Sequence, residues 1–102
     1  MQPLIEDRRR DLVLLCRRFQ VRRLDIFGSA ARGEFDPSTS DLDFLVEFED
    51  LQPIEYARAY FALKEALEKL FVRPVDLVTG PSVTNPYFEA GIAASRETVY
   101  EA

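Results

Sequence analysis

Nine residues, Asp41 to Glu49 (DLDFLVEFE), limit the possible folds more than any other stretch of the chain. Leu42, Phe44, Val46 and Phe48 alternate with Asp41, Asp43, Leu45 and Glu47, which is the period of a strand with one buried face. Such a strand needs paired neighbours beside it and an apolar layer against it. The flanking sequence offers both. Leu12, Leu15, Cys16 and Phe19 fall at helical spacing among Arg8, Arg9, Arg10, Arg17 and Arg18, predicting an amphipathic helix over 3–19. Val21 to Phe27 alternates and stops at Gly28-Ser29, as a first strand would. Residues 29–33 can form a short helix ending at Gly33, and Pro37 lies in a turn-rich stretch after it. Pro53 suits the first turn of a long helix over 53–71, whose Ile54, Ala57, Tyr60, Leu63, Leu67 and Leu70 recur at steps of three or four. Arg73-Pro74 ends that helix, and PVDLVT is a further short strand bounded by Gly80-Pro81. Residues 85–95 read as a less regular helix and 97–101 as an edge strand. The order implies an α+β fold, an α/β sandwich in which one small mixed sheet packs against helices, as a single domain over 1–102.

What the chain lacks narrows its chemistry. It has no histidine, and Cys16 is its only cysteine, which excludes Ser-His-Asp and Cys-His catalysis, an internal disulfide, a Cys-based zinc site and histidine-ligated metals. Carboxylates, hydroxyls, arginines and backbone N–H groups remain, a set suited to hard oxygen-ligated cations and to phosphate chemistry. Hydrophobic residues make up 47% and charged residues 30%, which is globular composition. No apolar run approaches the ~18 residues of a membrane span, and MQPLIEDRRR is not followed by a signal core, so a cytoplasmic protein is expected.

Four local features bear on a site, and each has a plain structural alternative. Gly28-Ser29 lies between a strand and a predicted helix, where unpaired N–H groups and the helix dipole favour an anion; it is also what an ordinary turn with a serine cap looks like. Asp41 and Asp43 leave the same face of their strand with Cα atoms ~6–7 Å apart, close enough to converge on one divalent ion or to share two. The alternative is an exposed polar face, although aspartate is a poor strand former. Asp76 is the only charge in Val75–Val78 and faces away from Val75 and Leu77; it completes a carboxylate trio if its strand neighbours the 41–48 strand, and otherwise is a solvated or capping residue. Arg32 can turn over the same pocket to clamp a phosphate, or pair with Glu34 or Asp36.

Taken together, GSAARGEFDPSTSDLDFLVEF resembles the signature of the minimal nucleotidyltransferase (MNT) family of the polymerase-β-like superfamily: Gly-Ser, then Asp-x-Asp, then a third acidic strand residue. Eleven residues, Ala30 to Ser40, separate Ser29 from Asp41, one more than the family pattern, and the Pro-Ser-Thr turn accommodates the addition most easily. The resemblance implies a nucleotidyltransferase-like fold and Mg2+-dependent transfer of AMP from ATP to a hydroxyl. By it, Asp41, Asp43 and Asp76 hold two Mg2+ ions, and Gly28, Ser29 and Arg32 bind the phosphates. Small members resemble the antitoxin half of two-gene systems whose partner is a HEPN ribonuclease toxin, modified on a tyrosine. The resemblance therefore implies a HEPN partner and an assembly with it.

The chain's net charge of −5 argues against general nucleic-acid binding. Residues 1–23 nevertheless hold seven arginines against Glu6, Asp7 and Asp11. The basic helix and the Tyr56/Tyr60 side of the long helix are docking surfaces or ordinary amphipathic faces. Three other readings stand beside the first: an inactive antitoxin that works by occlusion, a transferase for small-molecule hydroxyls, and a structural module with solvent-facing aspartates.

Overall fold

A computed structural model describes residues 3–28, 41–79 and 96–102. Its elements are α1 (Pro3–Asp7), α2 (Arg9–Arg18), β1 (Val21–Phe27), β2 (Leu42–Phe48), α3 (Pro53–Phe71), β3 (Val75–Thr79) and β4 (Glu97–Glu101). The strands form one mixed sheet in the order β3-β2-β1-β4. β1 runs antiparallel to both β2 and β4, whereas β2 and β3 are parallel. The parallel pair follows from α3, because a helix between two strands returns the chain in the same direction. The short helix expected at 29–33, the turn around Pro37 and the helix expected at 85–95 lie outside the described residues.

The helix expected over 3–19 is divided at Arg8. There the N–H bonds to Ile5 O at 3.1 Å, a three-residue turn that tightens the chain, and Leu12 N–H returns to Arg8 O at 2.9 Å as α2 begins. The tighter turn keeps Ile5 fully buried together with Leu12 and Cys16. These three, with Leu63, Leu67 and Phe71 of α3, cover the sheet face that presents Leu24, Ile26, Leu42, Phe44, Val46, Val75 and Leu77. Phe44 stacks on Phe71 with ring centroids 6.0 Å apart, and Phe48 meets Tyr56 edge-on at 5.1 Å. Each such aromatic or aliphatic burial contributes about 1.5–3 kcal/mol. Tyr60 donates its hydroxyl proton to Leu77 O at 2.6 Å, fastening α3 to the edge strand β3. Tyr56 and Tyr60 thus serve the core rather than a free surface.

α3 starts with Pro53 in its first turn and ends at Val72, whose φ of 54° and ψ of 48° are left-handed. Glu68 secures this end in two ways: its carbonyl accepts from Arg73 N–H at 3.3 Å and its carboxylate from Val75 N–H at 3.1 Å. A β-branched residue pays about 1–2 kcal/mol for that conformation, and Val72, 86% exposed, recovers little by packing. Val72→Gly should therefore raise the unfolding free energy by about 1 kcal/mol, after allowance for the greater freedom of glycine in the unfolded chain. Urea unfolding checks this, and a loss of stability would show that the strain is not there.

Candidate active site

The face of the sheet turned away from the helices carries the candidate residues, and strand register orders them in ranks. Asp43 pairs with Asp76 on one side and with Phe27 on the other. The next rank is Val78, Leu45, Asp25 and Thr98, and the one beyond contains Glu47, Arg23 and Glu101. Paired residues share a face, so Asp43 and Asp76 project side by side from strands ~4.8 Å apart. Asp41 is the exposed residue immediately before β2, two positions from Asp43 and of the same facing. Phe27, Leu45 and Val78 form a small apolar cluster beside the carboxylates.

Gly28 closes β1 with φ +73°, a conformation that L side chains rarely adopt. A Cβ there would fall inside the van der Waals shell of Asp43 Oδ2 and 3.3 Å from Asp43 Cγ. The glycine is thus required by the Asp43 carboxylate as well as by its own backbone. It brings the end of β1 directly against that carboxylate. Ser29 and Arg32 lie outside the described residues.

Asp41, Asp43 and Asp76 supply only hard oxygen donors. Among the described residues no three acidic or sulfur side chains are grouped closely enough, as they lie, to hold a metal ion. The backbone spacing nonetheless suits one. Carboxylates on adjacent strands, and at alternate positions of one strand, reach a common point by side-chain rotation, and like charges have no reason to converge without a cation. Cys16 contributes nothing to such a site: it is buried on the inner face of α2, and burial pushes its thiol up to about 12.

One charged residue on this face was not singled out from the sequence. Asp25 is completely buried, the only buried polar or charged residue among those described. Its Oδ1 accepts from Arg23 Nε at 3.1 Å and its Oδ2 from Arg96 Nε, while Arg23 also donates to Thr98 Oγ1 at 3.0 Å. The Asp25 carboxylate raises the pKa of Arg23 above its ordinary value. The signal was an aspartate inside an otherwise apolar half-strand; alternation alone could not reveal its partners, because Arg96 is 71 residues away.

The opposite side of the molecule presents Arg9, Arg10 and Arg17 of α2 around Val13 and Leu14 in a shallow groove. It is remote from the carboxylates, with the sheet between them. No helix among the described residues is long and apolar enough to cross a membrane.

Comparison with known proteins agrees with this fold. The nucleotidyltransferase domain family matches residues 12–99. The protein adenylyltransferase MntA of Thermococcus cleftensis is 40% identical over 85 residues, covering 81% of this chain and 77% of that protein. A solved structure described as a minimal nucleotidyltransferase is 33% identical with a TM-score of 0.66, covering 91% of this chain and 90% of the other. A chain in the complex of tri-AMPylated Shewanella oneidensis HEPN toxin with its MNT antitoxin shares the fold at 18% identity, with a TM-score of 0.63 over 95% of this chain and 72% of that one.

Proposed function

The chain belongs to the nucleotidyltransferase domain family and is a nucleotidyltransferase; from that premise we propose that it transfers AMP from ATP to a tyrosine of a HEPN ribonuclease toxin and so acts as its antitoxin. The observation that carries this reading is the junction of Gly28, Asp43 and Asp76: a strand-end glycine packed on one carboxylate, with a second carboxylate beside it in register. Gly28 lets the backbone at the end of β1 approach a phosphate, and Ser29 and Arg32 add a hydroxyl and a cation to the same grip. Asp41, Asp43 and Asp76 would hold two Mg2+ ions, which when bound neutralise the triphosphate and lower the pKa of the attacking hydroxyl. Asp76, exposed at the side of the pair, also takes up the proton of the acceptor. Transfer of this kind needs positioning and charge compensation more than a reactive side chain, which a chain without histidine can supply. In the neighbouring complex the HEPN toxin is tri-AMPylated. The same outcome is proposed here, with AMP added more than once to the toxin.

Mass spectrometry of the HEPN toxin incubated with this chain, Mg2+ and ATP tests the reading: added AMP units support it. A wild-type chain that leaves a verified partner unmodified but still neutralises it would replace transfer with occlusion.

Metal provides an independent check. Mg2+ with ATP binds the folded chain only and relieves repulsion between Asp43 and Asp76, so it should raise the melting temperature. A hundredfold excess over Kd stabilises by about 2.7 kcal/mol, and each kcal/mol moves a domain of this size by about 4–8 °C. Identical melting in EDTA and in millimolar Mg2+ plus ATP would overturn the site.

A further inference from the structure

A carboxylate as thoroughly buried as Asp25 is retained only when its charge is matched, and here two guanidiniums hold it. Arg23 donates to Asp25 Oδ1 and to Thr98 Oγ1, with Glu47 and Glu101 also near it. Arg96 donates its Nε–H to the other oxygen, Oδ2. It has no second partner among the described residues, its side chain is 29% exposed, and no buried nitrogen among those residues is left without a partner. The unused N–H groups of Arg96 therefore face accessible space. Arg23 is balanced by several carboxylates, whereas Arg96 is anchored through Nε and leaves its terminal nitrogens open to a ligand.

Register fixes where Arg96 stands. Glu97 pairs with Ile26, so Arg96, one residue earlier on an antiparallel neighbour, comes level with Phe27, the residue before Gly28 and the partner of Asp43. Thr98 is the partner of Asp25, and Arg96, two positions from Thr98, shares that face. One rank across the sheet therefore runs Asp76, Asp43, Phe27, Arg96, with Asp76 at the β3 edge and Arg96 at the β4 edge. At ~4.8 Å per strand, the backbones of Asp43 and Arg96 are ~10 Å apart, with the end of β1 between them. In the proposed function Asp76 takes the acceptor's proton and the triphosphate is gripped at Gly28. The acceptor thus arrives from the β3 side, and in-line displacement sends pyrophosphate towards β1 and β4. That is the end of the rank that Arg96 occupies.

We propose that Arg96, set in place by the buried Asp25, is a catalytic residue that binds the β- and γ-phosphates of ATP and stabilises pyrophosphate as it leaves. This rests on the proposed AMP transfer. As the acceptor oxygen bonds to the α-phosphorus and gives its proton to Asp76, the α–β phosphoanhydride bond breaks and its electron pair passes to pyrophosphate. The charge that gathers there meets a guanidinium whose fork matches two phosphate oxygens. Asp25 is a positioning residue: completely buried, it does not touch the nucleotide but holds Arg96 ready, which lowers the ordering cost of binding. Arg23 secures the carboxylate through its other oxygen.

Isothermal titration calorimetry on the full chain with Mg2+ and without toxin tests this through three probes: ATP, pyrophosphate and AMP. Arg96→Gln should weaken ATP and pyrophosphate by about 10–100-fold, the worth of one or two charge-assisted hydrogen bonds, and leave AMP unchanged; Arg96→Lys should restore part of the loss. Asp25→Asn should weaken the same two probes, and added to Arg96→Gln it should cost almost nothing more, because it acts through the arginine. If Asp25→Asn unfolds, the partly exposed Arg96 variants carry the test. Equal weakening of all three probes, which a merely structural tie between β1 and β4 would produce, overturns the proposal, as does an unchanged affinity for pyrophosphate in Arg96→Gln. Either result leaves AMP transfer standing. Absence of ATP binding by the wild type would overturn the transfer reading and this proposal with it.

Discussion

Asp43→Asn is expected to lower AMP transfer by about 10³-fold, roughly 4 kcal/mol of transition-state stabilisation, while the fold survives. Asparagine keeps the shape and one acceptor oxygen but removes the charge on which both proposed ions depend. Asp43 is the residue most exposed to this loss, because Gly28 packs on its carboxylate and Asp76 is its register partner. Stability has little reason to fall. Asp43 is only half-buried, and neutralising it relieves repulsion from Asp76 in the absence of metal. The variant should therefore melt near the wild type in EDTA and lose the rise that Mg2+ plus ATP produces. Transfer by Asp43→Asn at the wild-type rate, read by mass spectrometry of the toxin, would sink the mechanism.

The parts of this architecture that could be read from sequence are those governed by local periodicity. The alternation in β2 told which of its residues enter the core, and Leu42, Phe44, Val46 and Phe48 are all buried there. Pro53 and Arg73-Pro74 bracketed α3, whose bounds are Pro53–Phe71. The adjacency of β2 and β3 was a condition, not a result, of the sequence reading. It depends on how α3 returns the chain, and no pattern within Val75–Thr79 reports which strand lies alongside. The register that sets Asp76 beside Asp43 belongs to the same class of fact. Two features escaped for physical reasons of other kinds. The break at Arg8 comes from one three-residue hydrogen bond that costs the helical pattern nothing visible, since apolar residues on both sides keep their facing. The Asp25 cluster escaped because a buried charge announces itself only through its partners, and Arg96 approaches from the last strand of the sheet. Likewise, Gly28 could be read as permitting a phosphate to approach, but its packing on Asp43 is a contact between strand ends that only the folded sheet creates.

Gly28→Ala is expected to separate the geometry of this site from the stability of the fold. At φ +73° an alanine is strained by about 1 kcal/mol, and its Cβ would overlap Asp43 Oδ2. The obstructing atom is the tip of a side chain, not backbone, so the sheet need not yield; the Asp43 carboxylate can swing aside instead. The cost then falls on function. A displacement of about 1 Å at a reacting centre costs ~10²-fold in rate, and the alanine also narrows the approach of phosphate to the end of β1. Transfer should fall by at least ~10²-fold with a loss of only about 1–2 kcal/mol in urea unfolding. The double variant Gly28→Ala/Asp43→Asn makes the reasoning sharper. If Gly28 acts largely through the Asp43 carboxylate, the two losses will not add, and the double variant will be scarcely slower than Asp43→Asn alone. Fully additive losses would mean that Gly28 serves the phosphates independently, and full activity in Gly28→Ala would remove the glycine from the site.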